Sequence, residues 1–224
     1  LRWEIGHTAY FYEVWILRRH LGLEPVFDAV DTLYDSITIA HDDRWDLPLP
    51  GLDETLDYMR EVHDRVRRHV EQDGPDAKRD YLLEYAIYHE DMHTEAFTYT
   101  RQTLGYPTPA IGEVPDERMR GRLEGDAQIP GGTFMLGATE ADGFVFDNEK
   151  WAHALEVQPF AIARAAVSNA EFATFVDDGG YTKPEYWDAE GLAWLQATGL
   201  ECPRYWRRSA DGWEMRRFDR WEPL

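Results

Sequence analysis

Residues 88–96 read YHEDMHTEA and contain His-Glu-x-x-His, with His89 and His93 four positions apart. Residues at i and i+4 share one face of a helix, so both imidazoles can aim at one point and chelate a metal ion. In a zinc protease Glu90 would be the general base acting on a metal-bound water. The extended protease motif asks for Gly at position 96 and His at position 99; this chain has Ala96 and Tyr99. The other common form takes a Glu from a second downstream helix, where this sequence turns to loop. A histidine-only site with open positions can hold iron, although the usual nonheme iron triad includes a carboxylate. Spacing alone leaves three readings open: zinc, iron, or two core histidines bonded to backbone or tyrosine hydroxyls.

A third ligand has to come from another element. The face shared by His89 and His93 also carries Leu82, Ala86, Ala96, Phe97 and Thr100, an apolar stripe expected to be buried. Glu95 lies about 200° around the helix from His93, and Glu90 about 100° from His89, so neither reaches the same point easily. Glu90 suits a place beside a ligand. His7 is the best third candidate, because a bundle can lay the first helix beside the fourth. His20 and His63 are expected at solvated helix positions, and His41 and His153 in loops.

The elements follow from apolar spacing. Phe11, Val14, Trp15, Leu17 and Leu21 mark a helix over residues 4–21, with Gly22 as its stop. A second helix is expected over about 26–39, ending before the prolines of AHDDRWDLPLPG. Leu52, Leu56, Met59, Val62, Val66 and Val70 mark a third, starting near Asp53. Residues 77–104 contain neither Gly nor Pro, so a long fourth helix carries the motif. The fold class is therefore α+β: a four-helix bundle over residues 1–104, a Gly/Pro-rich linker over 105–127, and an irregular second domain over 128–224. There QIPGGTFMLGA and HALEVQPFAIARAAV read as short strands, and Ser168 with Glu171 forms a capping box for a short helix. No clear period is readable beyond Tyr181.

Bulk properties narrow the partners. The 43 acidic and 23 basic residues give a formal charge of −20, which repels phosphate backbones, so no nucleic-acid partner is expected. No apolar run approaches the roughly 20 residues needed to cross a bilayer. One cysteine, Cys202, excludes an internal disulfide framework and thiolate-rich metal sites. A reducing, cytoplasmic setting without a signal peptide is the simplest expectation, with residues upstream of the abrupt start LRWEIGH.

Several segments together resemble one family. GHTAYFYE, HEDMHTE, IPGGTFMLGA, FVFDNEKWAH and VSNAEFATFVDDGGY are similar to the ergothioneine-synthase group of nonheme iron enzymes. These join a DinB-like helical bundle to a C-type-lectin-like domain of the formylglycine-generating-enzyme type. The resemblance implies Fe(II) held by His7, His89 and His93, O2 as cosubstrate, and Glu95 as part of the substrate site. RWEIGHTAYFYEVWILR, LYDSITIAHDDRWDLPLP and HEDMHTEAFTYTRQTLGY look most like the selenoneine-synthase branch. That implies oxidative C–Se bond formation between hercynine, the betaine of histidine, and a selenosugar. The close alternative is sulfoxide synthesis with a thiol donor, γ-glutamylcysteine or cysteine.

Two departures from the thiol-using pattern favour selenium. The Gln that contacts substrate before the second motif histidine is replaced by Met92. Of the paired arginines that hold a donor carboxylate, Arg44 corresponds to one, and DLPLP offers no second. Tyr88, Tyr99, Trp187 and Trp194 are candidate faces for hercynine's quaternary ammonium. The lectin-like part is shorter than domains of its type, so it is expected to be incomplete, with the family's active-site tyrosine beyond Leu224. Readings of another class are a zinc hydrolase and a metal-stabilised binding module.

Overall fold

The chain divides into two compact units, Leu1–Thr98 with Gly137–Ala152 and Tyr99–Leu136 with His153–Leu224. The computed structural model describes residues 2–112 and 123–224. The middle of the expected linker, residues 113–122, lies outside the described residues.

In the first unit, α1 (Arg2–Tyr12) runs on into a wider π-helical turn, Glu13–Arg18. There Arg19 N–H bonds the Val14 carbonyl at 2.9 Å and Leu21 N–H the Ile16 carbonyl at 3.0 Å, one residue further than in an α-helix. Glu13 opens this turn and is fully buried. Its carboxylate accepts the Tyr58 hydroxyl at 2.6 Å and the Val26 N–H at 3.0 Å, satisfying a charge that burial would otherwise penalise. Ile16, Leu17, Val30, Tyr34 and Val62 fill the core around it.

The second expected helix shrinks to five residues, α2 (Val30–Tyr34). Asp35 is extended at φ −74°, ψ 104°, and its carboxylate accepts the Ile37 N–H at 2.9 Å. This local bond competes with helix, and the β-branched Ile37, Thr38 and Ile39 add little to hold one. The helical unit thus has three long helices and a short one, not four of similar length. The others match their expected spans: α3 is Leu52–Gln72 and α4 is Ala77–Leu104.

The sharp connection between α3 and α4 aims α4. Asp76 accepts the Lys78 and Arg79 N–H groups at 3.0 and 3.1 Å, capping the start of α4. The buried Arg79 guanidinium donates back to the His69 and Gly74 carbonyls at 3.1 and 2.8 Å. Residues 137–152 pack on the helices as well. Phe144 stacks on Tyr81 and meets Tyr88, and the Tyr81 hydroxyl donates to the Val145 carbonyl at 3.0 Å.

The second unit is made of short antiparallel pairs. β1 (Asp126–Ile129) pairs with β4 (Phe160–Ala163), and β2 (Gly132–Leu136) with β3 (His153–Val157). His153, expected in a loop, is therefore the first residue of a strand. The expected capping box opens α5 (Asn169–Asp177), with the Ser168 oxygen accepting the Glu171 N–H. Beyond Tyr181, where no period was readable, lie α6 (Ala189–Thr198) and a meander of β5 (Trp206–Ser209), β6 (Gly212–Arg217) and β7 (Arg220–Pro223). Gln102 in the last turn of α4 donates to the Arg216 carbonyl at 2.9 Å and accepts the Phe218 N–H at 2.6 Å.

Gly6 is the tightest point of the helical unit, since a Cβ there would sit 2.2 Å from the Tyr34 ring. Both residues are buried, so the ring has no solvent side to move into. Gly6→Ala should therefore destabilise the chain by about 1–3 kcal/mol, the usual cost of overpacking. Urea titration monitored by circular dichroism measures it, and an unchanged midpoint would contradict the packing.

Candidate metal centre

His7, His89 and His93 each offer a ring nitrogen within 4.8 Å of the others. They come from the second turn of α1 and two successive turns of α4. The Nε2 atoms of His89 and His93 are 3.3 Å apart. His7 lies edge-on to both, with ring centroids 5.0 Å away in each case. The apolar stripe that positions them is buried at Leu82, Ala86 and His89 and partly open from His93 onward.

Each ring is held differently. His7 Nδ1–H donates to the Tyr34 carbonyl at 2.8 Å, which leaves its Nε2 as a lone-pair acceptor facing the other two. His93 Nδ1 bonds the Glu4 carboxylate, which likewise turns its Nε2 lone pair inward. His89 lies flat against Phe11, with centroids 3.8 Å apart, and its Nδ1 is buried with no hydrogen-bond partner. Either tautomer of His89 leaves an unpaired polar nitrogen or a third inward lone pair. With Nε2–H, His89 donates to His93 Nε2 and leaves its buried Nδ1 unpaired; with Nδ1–H, three lone pairs converge and repel one another unless a cation sits among them. The donor set therefore fits a divalent metal ion bound by three neutral imidazoles.

Electrostatics agree with neutral ligands. Burial lowers His7 to about 4, from an ordinary value of 6.5, against the opposing hydrogen bond to Tyr34. Burial also lowers His89 to about 3, helped by the charge it would meet on His7 and His93. The hydrogen bond from His93 holds the Glu4 carboxyl below its ordinary value.

Around the trio, Trp3 stacks on His7 at 4.5 Å and donates its indole N–H to the Leu33 carbonyl at 2.9 Å. Arg44 lies over the outer face of Trp3, 4.1 Å from the ring centre. Arg2, Trp3, Glu4, His41, Arg44, Trp45 and Leu49 line a pocket of about 200 Å³ beside the histidines. Arg44 thus stands two layers from His7, and Arg2 lines the same pocket.

Glu90 does not face the trio as a protease base would; it accepts the Tyr12 hydroxyl at 2.9 Å. Met92 and Glu95 are exposed on α4. Among the described residues no carboxylate joins the three histidines as a comparable ligand. His20 is not simply solvated, because its Nε2 bonds Asp76 at 2.8 Å. His63 packs edge-on to Tyr12. Tyr88 packs against Phe144 and Phe146, and Trp187 on Trp194.

Sequence reasoning missed Trp3, Glu4 and the Tyr34 carbonyl. The signal was partly there: Trp3 and Glu4 lie four and three residues before His7, on the same side of α1. What Glu4 touches is His93, far along the chain, which spacing within α1 cannot reveal.

Residues 112–216 match the sulfatase-modifying factor enzyme 1-like domain. The chain is 30% identical to the hercynine oxygenase of Mycolicibacterium smegmatis over 210 residues, which are 92% of this chain and 49% of that protein. It is 32% identical to the hercynine oxygenase of Mycobacterium tuberculosis over 213 residues, with the same two shares. The formylglycine-generating enzyme of Thermomonospora curvata is 38% identical over 82 residues, 37% of this chain and 26% of that enzyme. The chain spans about half the length of the hercynine oxygenases it matches.

Anaerobic titration should find one divalent ion per chain, and His7→Ala, His89→Ala and His93→Ala should each weaken binding at least tenfold. Equal affinity in all three variants would contradict a shared centre. The metal-free chain should also lose stability as pH falls. His7 and His89 take up protons in the unfolded chain below their ordinary 6.5 but resist them in the folded chain until about 4 and 3. Stability is thus fully present above 6.5 and declines below it by roughly 1.4 kcal/mol per pH unit for each histidine. Melting temperatures at pH 7 and pH 5 measure this, and the double variant His7→Gln/His89→Gln should flatten the slope.

Proposed function

We propose that the chain carries the iron centre of an O2-dependent enzyme that couples hercynine, at imidazole C2, to a selenium donor of the selenosugar class. The observation that carries it is the meeting of His7 with His89 and His93, with no carboxylate among the described residues joining them as a comparable ligand. Three neutral donors leave a divalent ion its full charge and about three open positions for two substrates and O2. The similarity to hercynine oxygenases over 92% of the chain supports hercynine as the acceptor. When bound, Fe(II) would activate O2, the oxidant that takes up the two electrons and two protons released when C–H and Se–H are replaced by C–Se.

The chain's own residues position the reaction. Burial keeps His7 and His89 unprotonated, so protons do not compete for the ligand nitrogens at neutral pH. The Tyr34 carbonyl and the Glu4 carboxylate hold two rings in the tautomer that points Nε2 inward. Phe11 covers one face of His89 and excludes water from it. The pocket of about 200 Å³ beside the trio has Trp3 and Trp45 in its wall, flat apolar faces of the kind that receive a sugar ring. Binding there would hold the donor atom near the acceptor carbon, turning an encounter into a positioned step. Met92, in place of the glutamine of thiol-using relatives, supports the same donor.

A thiol donor bearing a carboxylate is the second reading, favoured by one observation: Arg2 and Arg44 line the same pocket. Both arginines already have protein partners, Arg2 the Pro50 carbonyl at 3.0 Å and Arg44 the Trp3 ring. A neutral sugar leaves those contacts in place, whereas a carboxylate would compete for Arg2 but would find the buried Arg44 Nε–H without a partner.

Single-turnover assays of the Fe(II)-loaded chain should consume O2 and hercynine with selenoglucose and yield a C–Se product by mass spectrometry. Faster turnover with γ-glutamylcysteine or cysteine would replace the selenosugar by the thiol. Iron bound without hercynine-dependent O2 uptake from either donor would contradict the function.

A further inference from the structure

The three imidazoles are anchored by three different means, and only one anchor carries charge. His7 is held by a backbone carbonyl and stacked on Trp3, and His89 is held by the flat face of Phe11. His93 lies where the buried stripe of α4 opens, between the exposed Met92 and Thr94. Besides the edge of the His7 ring, its one hydrogen-bond partner among the described residues of other elements is the Glu4 carboxylate on α1, 89 residues away in sequence. A ring at the open end of the seam, without that contact, would be free to turn about its side-chain torsions.

We propose that Glu4 is the positioning carboxylate of this centre: it fixes the tautomer and orientation of His93 and sets the affinity for the metal ion, without being a ligand itself. The role presupposes the three-histidine metal centre proposed above. The chemistry is general. A carboxylate that accepts Nδ1–H makes Nε2 a stronger donor, and it holds the ring ready so that less freedom is lost when metal binds. Here it also adds the one negative charge in contact with a ligand set of neutral imidazoles, so the loaded site would carry a net +1 with an Fe(II) ion.

The position of Glu4 separates this role from a purely structural one. Its side chain is partly open, at 30% exposure, and forms part of the wall of the pocket with Arg2 and Arg44. Removing it leaves no cavity in the core. The same turn of α1 is fastened independently by the Trp3 indole on the Leu33 carbonyl and by His7 on the Tyr34 carbonyl. The fold should therefore tolerate substitution.

The test is anaerobic titration of the whole chain with Fe(II), and with Co(II) read by its visible ligand-field bands, in wild type, Glu4→Gln, Glu4→Ala, Glu4→Asp and the exposed control Glu84→Gln. Melting temperatures of the metal-free forms verify folding. The expected result is a 10–100-fold loss of affinity in Glu4→Ala, the usual range for outer partners of ligating histidines. Glu4→Gln keeps an acceptor for Nδ1–H but loses the charge, so it should fall between Glu4→Ala and wild type. Glu4→Asp should recover part of the loss, and Glu84→Gln should match wild type. The Co(II) bands should keep their positions in Glu4→Gln, because the three nitrogen donors stay. Affinities within twofold of wild type in both Glu4→Ala and Glu4→Gln would overturn the role. So would a changed Co(II) spectrum in Glu4→Gln, which would make Glu4 a ligand. A wild-type chain that binds neither ion would overturn the metal centre itself, an outcome distinct from failure in the variants.

Discussion

Three imidazole nitrogens turned toward one point inside a helical seam are an electrostatic burden unless a cation joins them. Everything near that point serves to bring them together and keep them neutral. His7 and His89 are withdrawn from solvent, which disfavours their protonation. Two of them spend their N–H on outward partners, the Tyr34 carbonyl and the Glu4 carboxylate, which leaves their lone pairs facing inward. The third, His89, has no polar partner on its outer nitrogen. A site of this kind is costly in the metal-free protein and gains stability when metal binds, so binding and folding are linked.

The packing that permits this meeting is local and specific. Gly6 lets α1 approach the Tyr34 ring more closely than any side chain would allow, and His7 is the next residue. Buried Glu13 ties the end of α1 to α3 through Tyr58 and to the loop at Val26. At the other side, Asp76 and Arg79 cap the turn from α3 into α4, and so set where His89 and His93 appear about three to four turns later. Tyr12 on α1 and Glu90 on α4 add a direct bond between the two helices that carry the three histidines. That bond also removes Glu90 from the role it would have in a hydrolase.

Much of this was legible in the sequence, for physical reasons that differ by element. α4 was readable end to end because 28 residues without Gly or Pro leave few alternatives to helix. His7 could be paired with the motif because a bundle offers few other histidines at matching height. The second helix was overread because Asp35 and the β-branched residues after it favour local turns that an apolar stripe does not reveal. The β5–β7 meander was missed because its strands are only four to six residues long and carry Trp and Arg on both faces. Glu4 and Arg2 were missed for another reason: both act across space, on His93 and on the pocket around Arg44, and spacing within α1 carries no trace of those partners.

Zinc hydrolysis and iron-dependent oxidation differ here in their use of carboxylates. A hydrolase of this motif needs Glu90 free to face the metal and usually a carboxylate downstream. Instead Glu90 is engaged by Tyr12, and the carboxylate bonded to the trio, Glu4, stands behind His93. X-ray absorption at the metal edge of the anaerobically Fe(II)-loaded chain tests this arrangement most directly. The account predicts three imidazole nitrogens at about 2.0–2.2 Å, with the remaining positions filled by solvent oxygens that substrates can displace. Fewer than three imidazoles, or a shell that loses an oxygen ligand when Glu4 or Glu90 is replaced by Gln, would contradict it.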